Sequence, residues 1–205
     1  MMKEYLDRSM SFGEYRALIE RLVEEGRTTG PRQSDGLAHF TRLNFQRMNR
    51  LEKTLVVPDE VRSAIAVVRR EQIWMIITEA WCGDAAQNIP IIEKIASENA
   101  IIETRYILRD ENPELMDRFL TFGARSIPKL IALDAGTLEV LWTWGARPKA
   151  VQDLFFELRD AGFEKPAIME RLQRWYNEDK GLSVQHEIVS LILGSGEVKK
   201  AGAGT

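Results

Sequence analysis

The run Ile73-Trp74-Met75-Ile76-Ile77-Thr78 constrains this chain more than any other stretch. It is apolar almost without a break, rich in β-branched residues and too short for a helix of its own. Taken with its flanks, Gln72 to Ala80, it reads as a strand buried on both faces, and such a strand needs a layer of structure on either side. Helical periodicity covers Asp59 to Arg70 before it and Asp84 to Glu98 after it, and Ile101 to Leu108 reads as the next strand. Asn112-Pro113-Glu114 puts a cap and a first-turn proline ahead of another helix, stopped by Gly123. Lys129 to Asp134 and Leu138 to Trp144 are joined by a tight Ala135-Gly136 turn, which predicts an antiparallel pair. Pro148 to Ala161 is a further helix, closed by Gly162. This order predicts an α/β fold: a central mixed sheet flanked by helices.

Both ends carry more helix. Ser11-Phe12-Gly13-Glu14 has the form of a capping box, and Phe12, Tyr15, Leu18, Ile19, Leu22 and Val23 recur behind it at helical spacing as far as Gly26. After the polar loop RTTGPRQSDG a second helix is expected, with Leu37, Phe40, Met48, Leu51 and Leu55 on one face. Thr54 to Val57 reads equally as its end or as an edge strand. Near the other terminus Ile168, Leu172 and Trp175, then Val184, Ile188 and Leu191, mark two short helices. The organisation expected is a helical extension over 1–57, an α/β domain over 58–162, a second extension over 163–194 and a disordered Gly-rich tail over 195–205. The extensions are too poor in apolar residues to fold alone, so they pack on the sheet or pair two copies into a homodimer.

Composition narrows the function classes. A net charge of −3 provides no concentrated basic surface for nucleic acid. No apolar run approaches a membrane span, and the start MMKEYLDRSMSFGEY lacks the apolar core of a signal peptide, so no membrane partner and a cytoplasmic address are expected. One cysteine agrees with a reducing compartment and excludes Cys-rich zinc sites, and His39 and His186 lack partner ligands. No metal and no cofactor are expected.

The lone cysteine, Cys82, falls between the buried strand and the start of a helix. Helix-end amides and the helix dipole there favour a thiolate, which lowers the thiol pKa; a packed, inert cysteine is the alternative. Trp81-Cys82-Gly83 resembles the opening of the W-C-G-P-C motif of the thioredoxin family, with Pro90 where that family carries a proline in its active-site helix. Ser126-Ile127-Pro128 resembles its cis-proline element, and Gly145 also agrees. The likeness covers roughly 54–161. It implies a thioredoxin-like fold over the α/β domain, Cys82 as the catalytic thiol, Trp81, Gly83, Asp84 and Ala85 shaping the site, and Ile127 with Pro128 docking a substrate strand through a free Ile127 backbone.

This sequence departs from the family's pattern in three places. Ala85 replaces the second cysteine, Asp84 replaces proline and sets a negative charge beside Cys82, and Ile76 stands where the family often buries an acid. The dithiol cycle is absent. What the resemblance implies is monothiol exchange, with Cys82 attacking a protein or low-molecular-weight disulfide and an external thiol resolving it. The alternative is a non-catalytic binding or assembly module. Glu79 and Arg125 are expected as solvated side chains, Arg69-Arg70 as a solvated helix end, and Trp142 with Trp144 as packing residues.

Overall fold

The computed structural model describes residues 2–194; the tail expected to be disordered lies outside them. In chain order the elements are α1 (Met2–Asp7), α2 (Phe12–Glu24), α3 (Asp35–Thr54), α4 (Asp59–Ala66), β1 (Gln72–Thr78), α5 (Gly83–Ala96), β2 (Ile102–Leu108), α6 (Pro113–Asp117), β3 (Lys129–Asp134), β4 (Val140–Gly145), α7 (Lys149–Asp160), α8 (Lys165–Asp179) and α9 (Leu182–Gly194). The strands form one sheet in the order β2-β1-β3-β4, with β1 parallel to β2 and the other two pairs antiparallel. Thr54 to Val57 adds no strand.

β1 lies inside the sheet and is buried on both sides, as its unbroken apolar run requires. α5 packs near β2 and carries α3, α4 and α9 around it, and α9 also lies against β4. The outer edge of β2 is closed by the segment between α1 and α2: Met10 and Tyr106 exchange backbone hydrogen bonds of 2.8 and 2.7 Å. The capping box at Ser11 forms, with the Glu14 carboxylate accepting from the Ser11 N–H at 2.7 Å. α2 then delivers Tyr15 onto Tyr106, the rings stacked at 5.1 Å.

α3 turns inward the face its apolar residues mark, except at Phe40. Thr41, Asn44 and Met48 are buried, whereas Phe40 is 51% exposed. The polar side chains face inward because each has a partner there. The Thr41 and Thr28 hydroxyls meet at 2.6 Å, and the Asn44 amide donates to the Ala80 carbonyl at 2.9 Å. A buried polar group with a partner costs little, so Thr41 and Asn44 can sit within the apolar stripe.

Smaller differences also have local causes. α4 stops at Ala66, where Arg69 donates to its carbonyl at 2.6 Å and Asn99 takes the Ile65 carbonyl. α6 stops at Asp117, short of Gly123, and Phe122 and Gly123 adopt left-handed conformations in the turn that follows. β4 begins at Val140 because Leu138, at φ 61°, belongs to the turn, which the Asp134 carboxylate holds through the Gly136 and Thr137 amides.

α7 and α8 pair as a hairpin with a small core of their own, made by Val151, Leu158, Ile168, Leu172 and Tyr176. α9 belongs instead to the main core, through Val184, Ile188 and Ile192.

The inward face of α3 is checked by a pair of substitutions. Met48→Ala should lower stability by about 2–4 kcal/mol, as for other large-to-small core changes, and Phe40→Ala by less than about 1 kcal/mol. Urea midpoints measure both, and a larger loss at Phe40 would contradict the packing described.

Candidate functional site

β1 ends at Thr78, and a short turn carries Trp81 and Cys82 to the start of α5. Cys82 is the N-cap of that helix, its sulfur accepting from the Ala85 N–H at 3.5 Å. Gly83 opens the first turn beside the Arg47 guanidinium, and Ala85 is buried. Pro90 lies inside α5 and is buried. Across from Cys82 the Ile127–Pro128 peptide bond is cis, as is Gly145–Ala146. Ile127 and Pro128 are both buried. The thiol donates to the Ile127 carbonyl at 3.3 Å, so Cys82, Ile127 and Pro128 do come together.

Gly145 accounts for the tightness of this end. It sits at φ 119°, and a Cβ there would lie 2.2 Å from the Pro128 carbonyl oxygen. Only glycine permits that approach.

One expectation is corrected. The thiol is not acidified: Cys82 is only 9% exposed, and burial, followed by the Asp84 charge, pushes its pKa up to about 12. The Ala85 and Asp84 amides and the Arg147 charge pull the other way and do not overcome the loss of water. The Ile127 carbonyl accepts the thiol proton and keeps a second lone pair.

Asp84 is held by residues distant in sequence. Arg147 grips one of its oxygens through Nε and a terminal nitrogen, each at 2.8 Å. The Tyr176 hydroxyl donates to the other oxygen at 3.0 Å. Asn88 donates to the Ala146 carbonyl at 3.3 Å and to the Tyr176 oxygen at 3.4 Å. Burial opposes charge on Arg147, but Asp84 outweighs it and holds the guanidinium above its ordinary pKa. Phe155 stacks on Arg147 at 4.5 Å, and Gln173 meets Gln87 at 2.9 Å. The α7–α8 hairpin thus fastens onto the start of α5.

Glu79 is the second correction. It is fully buried, not solvated. Its carboxylate accepts from the Thr29 hydroxyl and from the Asp110 N–H, the latter at 2.8 Å, and Thr29 in turn accepts from the Ala80 N–H at 2.9 Å. Burial raises the Glu79 pKa.

The remaining candidates take ordinary roles. Trp81 is half-buried under the Arg109 guanidinium at 4.9 Å. Arg125 stays at the surface in a two-bond pair with Asp117, at 2.6 and 2.7 Å. Arg70 lies 3.4 Å from Asp134. Trp142 meets Trp74 edge-on, and the Trp144 indole donates to Glu187 at 2.7 Å. Among the described residues no cluster of His, Cys, Asp and Glu forms a metal site, and no helix is long and apolar enough to cross a membrane.

Arg147, Tyr176, Asn88 and Thr29 were not legible as site residues. Arg147 had one local signal: it follows Gly145 by two residues, while Asp84 needed a counter-ion. Tyr176 had none.

The family model described as thioredoxin matches residues 30–162, more than half of the chain. The solved structure of a protein of unknown function from Pseudomonas aeruginosa is similar, with 17% identity, a TM-score of 0.62, and coverage of 94% of this chain and 97% of that one. An HIV epitope scaffold is similar at 18% identity, a TM-score of 0.60 and the same coverage. At these identities the likeness concerns the fold alone. No curated protein matches.

The buried Glu79 carries a pH signature. Its folded-state pKa lies above the ordinary 4.5, so the folded form holds its proton more tightly than the unfolded chain does. The stability this proton provides is complete below 4.5 and is lost as pH rises through the raised value. Glu79→Gln should remove that slope. Urea midpoints of both proteins across mildly acid to neutral pH should diverge, the wild type losing ground to Gln as pH rises. Parallel profiles would overturn the assignment.

Proposed function

The chain belongs to the thioredoxin family, and from that premise we propose that it is a binding module in which Cys82 is a masked thiol and not a standing nucleophile. One observation carries this reading: the sulfur is buried, and its proton is committed to the Ile127 carbonyl. With its pKa pushed up to about 12, the thiol keeps its proton near neutral pH and little thiolate stands ready. A resting nucleophile needs far more. The surface around Pro128, Gly145 and Trp81 is the part of the fold we assign to partner binding. A protein or low-molecular-weight partner in a reducing, cytoplasmic setting fits the single unpaired thiol.

Monothiol exchange is the second reading, favoured by a separate observation. The Ala85 and Asp84 amides and Arg147 all act on the sulfur in the direction that stabilises a thiolate. In that reading the Cys82 thiolate attacks a disulfide sulfur and forms a mixed disulfide while the other sulfur leaves as a thiolate. An external thiol then attacks the mixed disulfide and returns Cys82 reduced.

Alkylation of Cys82 by iodoacetamide separates the two. In the native protein the rate should fall orders of magnitude below that of a free thiol near neutral pH, and reach the free-thiol rate in urea. Native alkylation at or above the free-thiol rate would overturn the binding-module reading and favour exchange.

The local geometry has its own test. Position 85 lies one helical turn beyond Cys82, with its amide 3.5 Å from the sulfur. Ala85→Cys should form an internal disulfide under mild oxidant, seen by mass spectrometry as two thiols lost together and restored by reductant. Retention of both thiols in a folded variant would refute the arrangement.

A further inference from the structure

A cavity of about 840 Å³ wraps the outer edge of β4. It lies between the turn at Thr121 and Phe122, the first turns of α7, and α9. Phe122, Trp144, Phe156 and Leu191 give it apolar walls, and its size is within the usual range for small-molecule sites.

Its charged groups are unequal. Lys149 pairs with Asp153 at 2.5 Å, and Arg147 is held by Asp84. Glu187 accepts from the Trp144 indole and from the Lys149 N–H, each at 2.7 Å. Lys129 alone lacks an acid: among the described residues its ammonium meets only the Thr121 hydroxyl, at 3.4 Å. It is 7% exposed, and burial lowers its pKa with no neighbouring charge to offset the effect. A buried ammonium with one weak partner is costly, and an anion in the cavity would remove that cost.

The mouth carries a second anomaly. Phe122 is 77% exposed, its backbone in the left-handed region at φ 51°, and its ring meets Phe156 edge-on at 5.5 Å. An aromatic side chain held open beside other apolar walls offers contact area to an apolar body.

We propose that this groove binds a small amphipathic carboxylate, its head on the Lys129 ammonium and its alkyl or aryl chain against Phe122, Trp144, Phe156 and Leu191. A single ammonium suits a single negative charge; a phosphate dianion calls for more donors than Lys129 and Thr121 provide. The inference rests on the groove alone and is independent of the chemistry of Cys82.

Decanoate is the probe, titrated calorimetrically into the full chain near neutral pH, with decanol as its neutral counterpart. Decanoate should bind saturably and more tightly than decanol. Lys129→Met, which keeps the apolar stem, should weaken decanoate by roughly tenfold or more and leave decanol unchanged. In the unmutated protein, decanoate should shift the NMR signals of the Trp144 indole and the Gly145 amide, a readout that stands even if the variant fails to fold. Absence of saturable binding up to about 1 mM, equal affinity for decanol, an unweakened Lys129→Met, or shifts confined to other regions would each overturn the proposal.

Discussion

The ion pair between Asp84 and Arg147 is the contact on which the arrangement of this end of the molecule depends. Both side chains are largely removed from water, at 14% and 15% exposure. A buried pair of this kind adds little net stability, because desolvating two charges offsets most of their attraction. What it does provide is geometry. A carboxylate in the first turn of α5 must find its partner, and the partner lies just beyond Gly145 at the end of β4. Tyr176 closes the other oxygen, so the hairpin of α7 and α8 is oriented by the same carboxylate. Replacing the family's proline by aspartate thus changes more than local charge. It gives the helix start a handle that a distant segment can hold.

Burial first, and the Asp84 charge after it, raises the pKa of Cys82. A helix N-terminus favours an anion, but only where water or donors replace the solvation it loses. Here the sulfur is covered, the nearest acid is two residues away, and the cation that might have favoured a thiolate is occupied by that acid. The thiol keeps its proton and uses it on the Ile127 carbonyl. Position at a helix start is therefore an incomplete guide to thiol reactivity.

Much of the fold was legible because its signals are local. The apolar run of β1, the Ser11 capping box and the turn before β4 each depend on residues close in sequence. The elements that bring Cys82 to Pro128 were legible through motif spacing. The misread parts depend on partners far away. Glu79 looks solvated until Thr29 and the Asp110 amide are set around it. Thr41 and Asn44 look unsuited to the inward face of α3 until Thr28 and Ala80 offer them hydrogen bonds. In each case a buried polar side chain was satisfied by a separate segment, from 13 to 50 residues away, which no periodicity records.

The separate small core of the α7–α8 hairpin has a kinetic meaning. A unit held by five buried side chains, and joined to α5 through polar contacts, is expected to open at lower free energy than the sheet. Its opening would release Tyr176 from Asp84 and loosen Arg147 without unfolding β1 or α5. On this packing α7 and α8 are expected to exchange their amide protons sooner than β1. Amide protection in α7 and α8, compared with that in β1, reports the interval between them.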